Sequence, residues 1–233
     1  IDLTHMDQVD ALVEAVARLV AIPTGADSDQ TPYVGREKEL AILDSRLHQI
    51  ERNQGDCVLI RGEAGVGKTR LVQETATIAA RRGALVLTGH CLDMDGAPPY
   101  QPLIEQIEQA SRTVAKEVMR QTLGENAPEM SRLMPELRQR FNDMPDPVEL
   151  PQEQERRYLL HGVGEFIHRA AAAQPMVLIF EDLHWADDST CVLLRYLADR
   201  LKASRVLMIG TYRDTELDSS RPFSRIVQEL NRE

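Results

Sequence analysis

Residues 57–60, Cys57-Val58-Leu59-Ile60, make a short apolar run of strand type, and Gly62-Glu63-Ala64-Gly65-Val66-Gly67-Lys68-Thr69 follow directly. The second stretch has the pattern G-x-x-x-x-G-K-[ST]. After it, a helical period puts Leu71, Val72, Thr75, Ile78 and Ala79 on one face. Strand, glycine-rich turn and helix together make this motif a phosphate-binding loop. Its glycines let backbone N–H groups turn inward and approach a polyphosphate closely. The helix N-terminus adds partial positive charge. Lys68 is placed to reach the β and γ phosphates, and the Thr69 hydroxyl to ligate Mg²⁺. The nucleotide-contacting set read from the loop is Gly62, Glu63, Ala64, Gly65, Val66, Gly67, Lys68, Thr69 and Arg70. A chance glycine turn is the alternative; the lysine, the threonine and both flanking elements weigh against it.

Working outward, apolar runs recur at 84–88, 176–180 and 205–210. They are continuous rather than alternating, and helical stretches separate them. That is the pattern of a parallel sheet covered on both faces. The fold class is therefore α/β, a three-layer sandwich of the P-loop NTPase type. Helices are expected at 40–50, from the loop to Arg81-Arg82 with Gly83 as C-cap, at 101–121, 130–141 and 152–173, and through Leu194, Leu197 and Leu201. Residues 142–151 carry three prolines and read as a loop. Residues 1–30 read as an upstream amphipathic helix (7–20) and a polar linker, and 31–233 as the globular domain, opening near Tyr33.

The chain has 233 residues, 42% hydrophobic and only 4% aromatic, so its core is aliphatic. Lys plus Arg is 27 against 37 for Asp plus Glu, a net charge of −10, which argues against a broad nucleic-acid surface. Nucleotide binding needs only a local positive site and is compatible with that balance. Cys57, Cys91 and Cys191 are scattered, with no C-x-x-C, and a reducing, cytoplasmic setting is expected. Cys57 and Cys191 sit in apolar patterns and are read as core. No signal peptide or membrane-length apolar run is present. Beginning at Ile1, the sequence reads as a piece excised from a longer protein.

In an open parallel sheet, ligands bind at the C-terminal ends of the strands. The third run ends in Glu181-Asp182, followed by Leu183-His184-Trp185-Ala186-Asp187-Asp188. Behind a phosphate loop, such paired acids divide two tasks. One carboxylate orders Mg²⁺ through water and the other orients or deprotonates the attacking water. The fourth run ends in Thr211-Tyr212-Arg213-Asp214. Arg213 either contacts the γ-phosphate and reports its presence, or is a surface arginine paired with Asp214 or Glu216. His184 and Trp185 are expected to pack and cap the strand-to-helix turn. Arg81-Arg82 and Arg156-Arg157 are read as solvated helix faces, and the methionines as core filler.

Tyr33-Val34-Gly35-Arg36-Glu37, the phosphate loop, the run VLIFEDLHWADD and the ending GTYRD occur in that order. Together they resemble the signal-transduction ATPases with numerous domains, the STAND class of AAA+-related NTPases. The nearest flavour is the ATPase module of large LuxR-type bacterial regulators and of some class III nucleotide cyclases. The resemblance covers about 33–230. It implies that Val34 and Gly35 line the adenine pocket with Arg36 nearby. It also implies a fourth strand between the first and third, with Arg213 as sensor. The expected ligands are ATP or ADP with Mg²⁺. The expected activity is a switch with slow hydrolysis, closed with ADP, open and self-associating with ATP. Downstream lid and effector domains are expected partners; nucleic acid and membrane are not. A fifth strand and a winged-helix lid are expected beyond the end of the chain. The family often has Asp where this chain has Glu181, which leaves open which acid is metal-directed; Glu181 is assigned to Mg²⁺ with Thr69, and Asp182 to the water. Rival readings are a steady-turnover AAA+ ATPase, needing an arginine finger that is not identifiable here, and a scaffold permanently bound to ADP.

Overall fold

The structure, a computed structural model, describes residues 35–94, 98–216 and 221–230. The helix expected at 7–20, the linker after it, Tyr33 and Val34 lie outside the described residues. Four strands, β1 (Asp56–Arg61), β2 (Leu85–His90), β3 (Met176–Glu181) and β4 (Val206–Tyr212), form one parallel sheet in the order β1-β4-β3-β2. The fourth strand thus lies between the first and third, as the resemblance implied. Among the described residues β1 is an edge strand.

Side chains alternate across a strand, and here both sets are apolar. Val177, Ile179, Leu207 and Ile209 join Leu43, Leu47, Ile50, Leu71 and Val72 on one face. The helices there are α1 (Glu37–Glu51) and α2 (Lys68–Arg81). Met176, Leu178, Phe180, Val206 and Met208 point to the other face. It is covered by α3 (Gln101–Thr113), α7 (Gln152–Ala173), α8 (Asp188–Arg200) and α9 (Pro222–Leu230). Two dry interfaces around one sheet explain why the strands read as unbroken apolar runs. Each such side chain stabilises by about 1.5–3 kcal/mol relative to exposure.

Two helices expected as single pieces are broken. The 101–121 stretch divides into α3 and α4 (Lys116–Leu123), with Val114 and Ala115 extended between them. Arg140 caps the break: its guanidinium donates to the backbone oxygens of Ser111 and, at 3.2 Å, Val114, satisfying carbonyls left open where the helix ends. The 130–141 stretch divides into α5 (Ala127–Leu133) and α6 (Glu136–Arg140) at Met134. Met134 precedes Pro135, whose ring disfavours helical geometry at the residue before it, and Met134 takes φ −133° and ψ 89°. Of the three small helices, α4 and α5 pack on α7 and α6 packs on α5, with Met119, Leu123, Met130 and Leu137 buried in one cluster.

Cys191 is buried, as expected, but Cys57 is exposed. It sits on the edge strand, where the sheet face between α8 and α9 is left as an open apolar groove of about 410 Å³, lined in part by Cys57, Leu59, Leu194 and Phe223. Among the described residues no helix is long and apolar enough to cross a membrane.

Candidate functional site

The loop after β1 is shaped by its glycines. Gly65 and Gly67 hold φ of 74° and 91°, the left-handed region, although a Cβ at either would meet nothing within 4 Å. Their requirement is therefore conformational rather than spatial. Gly67 is the N-cap of α2, so Lys68 and Thr69 open the helix. Lys68 is only 8% exposed, and its ammonium donates to the carbonyls of Gly62 at 2.8 Å and Glu63 at 3.0 Å. Among the described residues, this buried cation is thus held inside the curl of the loop by neutral acceptors.

Thr69 Oγ1 donates to Glu181 Oε2 at 3.1 Å, joining residues 112 positions apart. The fold makes this possible because α2 starts at the end of β1 and Glu181 ends β3, two strands away. The neighbouring Asp182 is in the left-handed conformation, φ 58°, rare for a residue with a Cβ. Its N–H donates to Thr211 Oγ1 at 3.1 Å, so the end of β4 holds the turn in place. Gly210 admits that turn: a Cβ there would come within 2.4 Å of Leu183 Cδ1 and 2.8 Å of Leu59 Cδ2. The carboxylate of Asp182 is 38% exposed, open to the mouth of the site.

Arg213 follows β4, and its Nη1 donates to Glu216 Oε1 at 2.6 Å. The pair raises the Arg213 pKa and lowers that of Glu216, each mainly through the shared hydrogen bond. In this state Arg213 therefore makes the surface pair named as its alternative. His184 is wholly buried, with Nε2 2.9 Å from Glu216 Oε2 and 4.0 Å from Asp182 Oδ1. Neither ring nitrogen makes an aligned hydrogen bond. Burial pushes its pKa down, opposed by the nearby charges of Asp182 and Glu216. Trp185 packs against the His184 ring at a centroid distance of 5.1 Å and carries the Arg221 guanidinium 4.0 Å above its own centroid, a cation–π contact. The cap of α8 is Asp187, whose side chain accepts from the N–H groups of Ser189 and Thr190.

Arg36 lies over the loop, where Nη2 donates to the Val66 carbonyl at 2.7 Å, and Gly35 precedes it in the left-handed region. Arg70 points along its helix to Glu74 at 3.1 Å. Thr211, Thr215 and Glu216 did not emerge as a group from the sequence. Thr215 Oγ1 donates to Glu63 Oε2 at 2.9 Å, bridging 152 positions. In the sequence Glu216 is legible only as one possible partner of Arg213, and Thr211 and Thr215 only by position at the end of an apolar run.

A family described as AAA ATPase domain matches residues 32–209. An uncharacterized protein of Rhizobium meliloti (strain 1021) is 26% identical over 208 residues, covering 82% of this chain and 20% of its own. The chain therefore spans about a fifth of that relative's length.

Proposed function

The chain belongs to the AAA ATPase domain family, and from that premise we propose that it is the nucleotide-dependent switch of a larger signal-transduction ATPase of the STAND class. As a family member it is a P-loop, nucleotide-binding α/β domain. The observation that carries the proposal is the convergence of Lys68, Thr69 and Glu181 at the sheet's C-terminal edge. The hydroxyl and carboxylate, 3.1 Å apart, are hard oxygen donors of the kind Mg²⁺ takes together with phosphate and water. Bound there, Mg²⁺ would neutralise charge on the phosphates.

The chain's own groups then take distinct roles. Lys68 exchanges the carbonyls of Gly62 and Glu63 for phosphate oxygens. The N–H groups at the start of α2 face the same oxygens. Asp182 orients a water and accepts its proton as the water oxygen bonds to the γ-phosphorus. The bond to the bridging oxygen breaks, leaving ADP and inorganic phosphate. Arg213 grips the γ-phosphate and has little to hold in ADP. Turnover is slow, below about 1 s⁻¹, and the triphosphate state favours self-association. The motifs shared with regulator ATPase modules support this, as does a relative much longer than the shared region.

The test is a calorimetric titration with ADP and a non-hydrolysable ATP analogue, with and without Mg²⁺. Glu181→Gln should abolish most of the Mg²⁺-dependent gain in affinity while leaving Mg²⁺-free ADP binding close to wild type. Full Mg²⁺ enhancement in that variant would remove Glu181 from the metal's surroundings, and no binding of either nucleotide by the wild type would end the proposal.

A further inference from the structure

The 3₁₀ turn Asp214–Glu216 follows Arg213 and is tied down on two sides. Thr215 is bonded to Glu63 of the phosphate loop at 2.9 Å. Glu216 divides its carboxylate: Oε1 accepts from Arg213 at 2.6 Å, and Oε2 is buried, 2.9 Å from His184 Nε2. His184 has no exposed surface and cannot follow Glu216 outward. The carboxylate thus abuts the buried His184 ring behind while it occupies the guanidinium in front.

We infer that Glu216 is a built-in competitor of the terminal phosphate for Arg213, and that its carboxylate sets how strongly the site prefers a triphosphate to a diphosphate. The inference rests on the reading of Arg213 as the γ-phosphate contact. Carboxylate and phosphate match the same rigid fork of guanidinium donors, so the two are rivals for it. A triphosphate must draw Arg213 from Glu216; a diphosphate leaves the pair intact. Only a contact that differs between two states shifts the balance between them. Glu216 therefore weakens ATP binding and is nearly neutral toward ADP, holding the free and ADP-bound domains alike. An ordinary surface ion pair would instead affect both nucleotides equally.

The experiment uses the whole chain and calorimetric titration with ADP and a non-hydrolysable ATP analogue, in Mg²⁺. Glu216→Ala and the nearly isosteric Glu216→Gln, which keeps a side chain beside His184, are compared alone and combined with Arg213→Ala. Each single variant should bind the analogue about fivefold or more tighter, at the low end of typical site coupling, with ADP changed by less than about twofold. In the Arg213→Ala background the gain should vanish. An equal shift for both nucleotides, no shift, or a gain that persists without Arg213 would overturn the inference and leave nucleotide binding standing. Failure of the wild type to bind either nucleotide would remove the function and this inference together.

Discussion

Replacing Lys68 separates charge from packing at the centre of the site. The side chain is 8% exposed, and its ammonium makes two bonds, at 2.8 and 3.0 Å, to loop carbonyls. Hydrogen bonds to a charged group contribute about 1.5–3 kcal/mol each, but in the free protein they offset the cost of burying the cation. Their loss alone should therefore change folding stability modestly. With a nucleotide bound, the same ammonium faces phosphate oxygens, and removing it leaves charge unmatched in a partly dry site. Truncating one partner of such a pair costs about 2–5 kcal/mol, which at about 1.36 kcal/mol per decade is roughly 30-fold to several thousand-fold in affinity. Lys68→Ala would also empty the space filled by the buried aliphatic stem, so Lys68→Met, which keeps that stem, is the cleaner probe. Calorimetry with ADP and an ATP analogue should show both affinities falling by at least the lower figure, while the thermal midpoint moves little. Lys68→Met with near wild-type affinity for both ligands would refute the placement of phosphates in this loop.

Three further outcomes are expected. Asp182→Asn should lower ATP turnover by about 10²- to 10⁴-fold, the usual contribution of a positioned base, while Mg-ATP binding stays near wild type; unchanged turnover in a steady-state phosphate-release assay would exclude Asp182 as the base. The His184 pKa is lowered by burial, so the unfolded chain binds more protons than the folded one as pH falls below the ordinary histidine value of about 6.5. Stability should thus decline from neutral toward acid pH, and urea midpoints of His184→Gln should decline less over that window; parallel curves would show that His184 does not carry the effect. Cys57 is exposed at the sheet edge, though its thiol is pushed up to about 11, by desolvation first and then by Asp56. Burial pushes Cys191 up to about 12 and Cys91 higher still. Maleimide mass spectrometry should show one slow modification at Cys57 in the native protein and three only after unfolding; native labelling of Cys191 would contradict the packing of α8.

The sheet was legible because each strand is apolar on both faces, so its run of Val, Ile, Leu and Met carries no competing helical period. The phosphate loop was legible because its glycines serve backbone conformations that other residues adopt at a cost, a local requirement written into local sequence. The place of Glu181 and Asp182 at the end of β3 was legible for a similar reason, as acids ending an apolar run. The helical breaks were harder. Pro135 marks the stop at Met134 locally, but a helical period read over 130–141 runs through it. The stop at Val114 is capped by Arg140, a contact no local window contains. Cys57 was misplaced because an edge strand has the same composition as a central one. Strand position depends on which elements cover it, which here leaves Cys57 facing an open groove. The Thr215–Glu63 and His184–Glu216 contacts were invisible for the same cause, since both join segments that meet only after the sheet has assembled.

The strand order also bears on the proposed contact of Arg213 with the γ-phosphate, because Arg213 follows β4. Neighbouring strands lie about 4.8 Å apart, so the ends of β1 and β3 are separated by roughly twice that distance, with β4 between them. The phosphate loop comes from one side and the acids from the other. Thr69 already crosses that gap to Glu181, and a residue at or just beyond the end of β4 starts between the two sides. Thr211 holds the Asp182 backbone from the middle strand, and Thr215 reaches the other way to Glu63. Arg213 lies between them in the chain. A full reversal of a two-state equilibrium, from about 1:99 to 99:1, needs about 5.5 kcal/mol of differential binding. A single guanidinium that must first leave Glu216 supplies the smaller coupling of about 1–3 kcal/mol. On the proposed reading, a γ-phosphate that reverses the switch fully must therefore act through more than Arg213. The Thr215–Glu63 bond offers the second route, because anything that reshapes the loop at Glu63 is transmitted to the same turn that carries Glu216.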